Sequence, residues 1–373
     1  MKKNVIYFQN RTLTRSEAAA LLDKLTREGL EQKFPTVTPE LTDRLAREHA
    51  YITGDSDLLQ RFVLFQDLFR HAGERQRFVQ PGPELLESLT AYCLGLTPVD
   101  PMRMEIPVES FVTDQYPRLL VPQQGMQELT AYLADTCPGV DPDSVMTVDD
   151  FATHYDITLR AIGAFTGTRP DLYSLDFSDP DVYAALGDDR YSPVLSSSIQ
   201  EKIHPQTLEE LMAAYFFSKL ESTGLPHKYL DPLLDQYLAA PKEPEGNSGP
   251  APLKISRGCR LYDDQRVAHL AEEGGCSLER LMRAARKLNS RASIQIFDDL
   301  ADKIFSACRR LGIPFRVSAP VLTHIFPLSL YIFCDFLAVS TADILFAAIQ
   351  FYWAVYIKVN YAGSLLSKIG SES

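Results

Sequence analysis

The segment Val317–Tyr361, VSAPVLTHIFPLSLYIFCDFLAVSTADILFAAIQFYWAVYIKVNY, is the most apolar part of the chain and holds its only tryptophan, Trp353. A stretch of this kind has to leave water, either inside the protein or inside a bilayer. A spanning helix needs about 20 apolar residues without interruption. Here Pro320, His324, Pro327 and Asp335 interrupt the first half, and the uncharged run Ile344–Ile357 is only 14 residues long. Between the two runs, Ser340 is placed to cap a new helix, with Asp343 three residues on in its first turn. The segment therefore reads as two buried helices, about 320–338 and 341–360, apolar nearly all round as central helices are, and no membrane partner is expected.

The rest of the chain has helical periodicity and almost no alternation of period two, so the expected fold class is all-α, with two helical lobes. Residues 1–13 read as a short arm. Thr14 and Glu17 form a capping box opening the first helix, which Gly29 and Pro35 are expected to end. Further helices are expected over Pro39–His49, Ser56–His71, Pro81–Leu94, Gly125–Asp135, Val148–Phe165, Pro205–Ser222 and His227–Leu238. Residues 97–125 are proline-rich and read as packed loop. Pro241–Pro252 (PKEPEGNSGPAP) reads as a linker between an N-terminal lobe, 1–240, and a C-terminal lobe, 254–373. Helices over Asp263–Ala271, Ser277–Leu288 and Ser290–Leu311 then precede the apolar pair.

No apolar run follows the opening MKKNVIYFQN, so no secretory signal is expected. Six cysteines stand far apart without a CxxC, which fits reduced thiols in an intracellular compartment. The net charge of −12 argues against indiscriminate nucleic-acid binding. Yet Lys254–Arg316 carries 13 Lys and Arg against 8 Asp and Glu, leaving room for one defined polyanion groove. Its centre is the helix from Ser277, where Arg280, Arg283, Lys287 and Arg291 line one flank with Arg286 nearby. Lys254, Arg257, Arg260, Arg309 and Arg310 extend the basic surface, and Arg169 stands in a separate loop. An ordinary solvated helix face explains the same pattern.

Signatures of catalysis are missing: the sequence has no GxxxxGK[ST], HExxH or GxSxG, and no dinucleotide fingerprint. The seven histidines never fall at metal-ligand spacing. No catalytic residue, metal ligand or cofactor is therefore expected. Gln295–Asp302 resembles the second aspartate-rich motif of trans-prenyl diphosphate synthases, which would make Asp298, Asp299 and Asp302 magnesium ligands. Helical geometry instead turns Asp299 away from the apolar face and leaves Asp298 and Asp302 on its flank.

The C-terminal third resembles the nucleoproteins of non-segmented negative-strand RNA viruses, nearest to the bornavirus type. Ala347-Ala348, Phe351-Tyr352-Trp353 and Ala362-Gly363 carry the resemblance, with Ile313-Pro314 upstream and Thr36-Val37-Thr38-Pro39 near the front. It implies a two-lobed, non-enzymatic protein that encapsidates single-stranded RNA and forms homo-oligomers through terminal arms. A viral polymerase cofactor would be a further partner, and the location would be a virion nucleocapsid and the host cytoplasm or nucleus. The alternatives are a magnesium-dependent isoprenoid synthase and a helical protein-interaction module.

Overall fold

The computed structural model describes residues 6–9, 11–74, 79–112, 116–154, 172–188, 195–222, 227–241, 253–274, 277–280, 282 and 340–360. The first apolar helix, about 320–338, all of the linker Pro241–Pro252 except Pro241, and the helix Ser290–Leu311 lie outside them. The described chain is predominantly helical, as expected, with five short strands.

Three helices begin the fold: α1 (Arg15–Lys33), α2 (Pro39–Gly54) and α3 (Ser56–Glu74). Both partners of the Thr14–Glu17 capping box are in place, satisfying two backbone N–H groups that the first turn of α1 leaves open. Thr38 caps α2 through Leu41 N, with Pro39 at the first helical position, where its missing N–H costs nothing. Gly29 does not end α1, which runs on to Lys33. It lies against the backbone of Cys93, where a Cβ would come within 1.9 Å of the carbonyl oxygen. Only glycine permits this close crossing.

The expected helix Pro81–Leu94 is broken into α4 (Pro83–Leu86) and α5 (Leu89–Cys93). A buried ion pair on α2 explains the break. Glu48, fully buried, accepts hydrogen bonds from Ser88 Oγ (2.8 Å), Leu89 N (2.9 Å) and Thr90 N (2.8 Å). Ser88 also accepts from Ala91 N at 3.0 Å, so the carboxylate and the hydroxyl together start a new helix. Arg44 Nε lies 3.0 Å from Glu48 Oε1, and its other nitrogens donate to the carbonyls of Glu87 (2.7 Å) and Ile106. The short helix α6 (Val108–Phe111) follows, where Phe111 meets Phe62 and Tyr51 edge to face.

Within the expected arm, residues 6–9 and 11–13 are described, and they form part of the packed fold. Strands β1 (Ile6–Phe8) and β2 (Arg11–Leu13) form an antiparallel hairpin with Ile6 opposite Leu13. The hairpin docks on α3, where the Gln60 side chain accepts from Tyr7 N (2.8 Å) and donates to Tyr7 O (3.1 Å), and Ile6 is 2% exposed. A second small sheet orders β3 (Gln80–Pro81), β4 (Leu119–Val121) and β5 (Met146–Val148), with β3–β4 antiparallel and β4–β5 parallel. The proline-rich stretch conceals β4. α7 (Gln123–Thr136) and α8 (Pro142–Val145) connect β4 to β5.

Two main cores result. One joins the hairpin, α1, α3, α7 and the second sheet. The other gathers Leu86, Val99, Met104 and Ile106 around the helix Leu208–Ser222 and the C-terminal helix. The latter starts as expected: Ser340 and Asp343 form its capping box. The buried Asp264 carboxylate accepts from Thr341 N (2.8 Å) and Thr341 Oγ1 (2.7 Å), tying that start to the helix Asp263–Gly274. By length and composition alone, Thr341–Asn360 is long and apolar enough to cross a membrane, and half of its most apolar window is buried inside the protein.

Deleting residues 1–13 removes Ile6 and the Tyr7–Gln60 pairing, and should lower stability by about 2–4 kcal/mol, the scale of losing one core side chain and two hydrogen bonds. Urea denaturation checks this. An unchanged midpoint would show that the hairpin contributes nothing to the core.

Candidate functional site

A cavity of about 530 Å³ opens where α1, α3, β3 and the C-terminal helix converge. This size suits a single small organic ligand. Its apolar walls include Phe69, Val79, Leu96, Leu172, Phe346 and Trp353. Its polar groups are Lys33, Gln66, Arg70, Gln80, Thr97 and Gln350. The C-terminal helix borders the cavity with a π-helical turn, Ile349–Trp353. Such turns insert one residue into a helix and redirect side chains, often at functional positions.

Several of these polar groups are already committed. Arg70 is paired with Asp67 and Glu74, both at 2.7 Å. Asp67 also accepts from Tyr132 Oη at 2.8 Å, which pushes the phenol up to about 12 together with burial, the larger cause. Gln66 donates to Leu94 O (2.5 Å) and Gln350 to Asp149 Oδ2 (3.1 Å). Thr97 Oγ1 accepts from Val99 N at 3.2 Å. Lys33 makes no ion pair among the described residues. Its ammonium sits 3.8 Å over the Tyr92 ring, and burial lowers its pKa. Gln80 is 6% exposed, and its Oε1 is buried, out of reach from the cavity, without a hydrogen-bond partner among the described residues.

The basic residues expected to form a groove are dispersed or outside the described residues. Arg280 is exposed at the start of the Ser277 helix, where its N–H donates to Ser277 Oγ at 3.4 Å, the expected cap. Met282, expected on the buried face, is buried. Lys254 and Arg260 are exposed. Arg257 points inward instead. It pairs with the buried Glu210 and lies 4.6 Å over the Tyr237 ring, so its charge is used in packing. Arg169, Arg283, Arg286, Lys287, Arg291, Arg309 and Arg310 lie outside the described residues, as do Asp298, Asp299 and Asp302.

Among the described residues, no group of three or more His, Cys, Asp or Glu is placed to hold a metal ion. Three of the buried carboxylates have structural partners: Glu48 has Arg44 and three donors, Asp67 has Arg70 and Tyr132, and Asp264 has Thr341. Cys93, Cys137 and Cys259 are buried free thiols, and burial pushes Cys93 up to about 12.

Comparison with known proteins adds a family signal in the first third of the chain. Residues 20–118 match the family described as bacterial DNA polymerase III alpha NTPase domain. The error-prone DNA polymerase of Methylococcus capsulatus is 30% identical over 96 residues, covering 26% of this chain and 9% of that protein. Those of Rhodopirellula baltica and Rhodopseudomonas palustris are 29% and 30% identical over 92 and 95 residues, each covering 25% of this chain and 8% of the relative. In each case the match spans less than a tenth of the relative's length. The matched segment contains most of α1, all of α2 to α6, and the Arg44–Glu48 pair.

These matches overturn the viral nucleoprotein resemblance, and with it RNA encapsidation, the single-stranded RNA partner, assembly through terminal arms and the viral polymerase cofactor. The hairpin strands are docked on α3 of their own chain, while residues 361–373 lie outside the described residues. The isoprenoid synthase and interaction-module alternatives fall on the same comparison, and the expectation of a non-enzyme is contradicted by relatives named as polymerases. An intracellular location accords with bacterial polymerase relatives, whereas a virion nucleocapsid does not. The misleading signal was a handful of short apolar and aromatic words in the C-terminal helix, which helix packing alone produces.

Glu105 yields a pH test of the packing between the matched segment and the rest. Its carboxylate accepts from Ile255 N at 3.3 Å, and burial raises its pKa from 4.5 to about 6. A carboxyl with a raised native pKa holds its proton more tightly when folded, so stability is full below pH 4.5 and declines as pH rises toward 6. Glu105→Gln should remove that decline, flattening the stability profile between about pH 4.5 and 6 by at most about 1 kcal/mol for this half-buried group. Denaturation midpoints across that range decide it, and an unchanged slope would place the titration elsewhere.

Proposed function

We propose that this chain is a DNA polymerase III alpha-related protein that acts on DNA, with template-directed nucleotidyl transfer as its reaction class. The supporting observation is the match over residues 20–118, a segment whose helices are held together by one buried hydrogen-bond hub. Nucleotidyl transfer by polymerases uses divalent ions held by carboxylates. The described carboxylates do not fit that role, since no three of them converge and Glu48, Asp67 and Asp264 are occupied by protein partners.

Phosphate contacts are assigned to the basic stretch 254–316, of which Lys254, Arg260 and Arg280 are the exposed described members. Arg257 is left out because it is paired with Glu210.

Primer extension on a templated duplex with magnesium and deoxynucleoside triphosphates tests the reaction, and salt titration of DNA binding tests the surface. The proposal expects templated extension and a binding constant that falls with salt. Replacing Lys254, Arg260 and Arg280 by Gln should lower the salt slope by roughly 0.9 for each phosphate left without its cation. Arg257→Gln should lower stability and leave that slope unchanged. A protein that neither extends primers nor binds DNA would sink the reading.

A further inference from the structure

We propose that the cavity between α3, β3 and the C-terminal helix binds a small monoanionic organic ligand with an apolar body. Nothing in the polymerase reading requires such a ligand. Two observations carry the proposal.

The first is shape. About 530 Å³ of space with mostly apolar walls remains where protein interiors otherwise close to near-crystalline density. The second is charge. Arg70 is neutralised by two carboxylates, so Lys33 is the cation left for a ligand. One half-buried ammonium complements one negative charge and leaves a polyphosphate uncompensated. An anion beside Lys33 would also offset the burial that lowers its pKa.

Trp353 makes the test direct, being the only tryptophan in the chain and part of the cavity wall. The probe is 8-anilinonaphthalene-1-sulfonate, an aromatic monoanion with one N–H donor. The full chain should bind it saturably at one site, with energy transfer from Trp353. Its uncharged counterpart, N-phenyl-1-naphthylamine, should bind about tenfold more weakly. Lys33→Met should weaken the sulfonate about tenfold and leave the amine unchanged. Near-ultraviolet circular dichroism establishes that the variant keeps its native packing. Three results would each overturn the proposal: no transfer from Trp353, equal affinity for the two probes, or sulfonate binding insensitive to Lys33→Met. Displacement of the probe by deoxynucleoside triphosphates at matched ionic strength would also overturn it, by making the cavity part of the polymerase site. DNA-dependent activity is measured separately, so failure here leaves that reading standing.

Discussion

The matched segment is organised by a carboxylate buried between helices. Glu48 is fully buried, and isolating such a charge from water would be prohibitive without partners. Here Arg44 supplies the counter-charge, and Ser88, Leu89 and Thr90 supply three donors. The arginine in turn donates to two carbonyls, so α2, α5 and the loop before α6 are fixed by one pair of side chains. Replacing such a pair by apolar residues is often tolerated, whereas removing one partner is not. The pair therefore specifies a geometry: it dictates that the chain breaks at Ser88 and restarts as α5. Gly29 then lets α1 rest on the end of α5 at Cys93.

That geometry also sets the boundary of the cavity. Lys33 ends the helix that crosses α5, and residues 94–98 leave α5 to form one wall. α3 contributes a further wall, and the C-terminal helix borders the space with its π turn. The site thus draws on the matched segment and on residues more than 200 positions away. A family signal confined to residues 20–118 could not have revealed it.

Local chemistry was legible in the sequence. The capping boxes at Thr14–Glu17 and Ser340–Asp343, the helical fold class and the burial of Trp353 all followed from spacing and residue type. What depends on distant partners was not. Arg44 and Glu48 stand at i,i+4, the same spacing as the exposed Asp23–Arg27 pair, so spacing alone does not single them out. Strands of two or three residues are too short to show alternation, so β3, β4 and β5 stayed hidden among prolines. The hairpin looked like an arm because only Ile6 among its strand residues is deeply buried. Charge counting found a basic stretch but could not tell that Arg257 turns inward to Glu210. Short aromatic words in an apolar helix suggested a viral family, and a match spread across residues 20–118 replaced it.

A double-mutant cycle on Arg44 and Glu48 tests most directly whether this pair holds the segment together. Arg44→Met and Glu48→Gln, each alone, should lower stability by about 3–5 kcal/mol, because each strands a buried polar partner. The double variant should lose at least about 1 kcal/mol less than the sum of the two. Additive losses, or single losses within about 0.5 kcal/mol of wild type, would show that the pair is a passenger on a fold determined elsewhere.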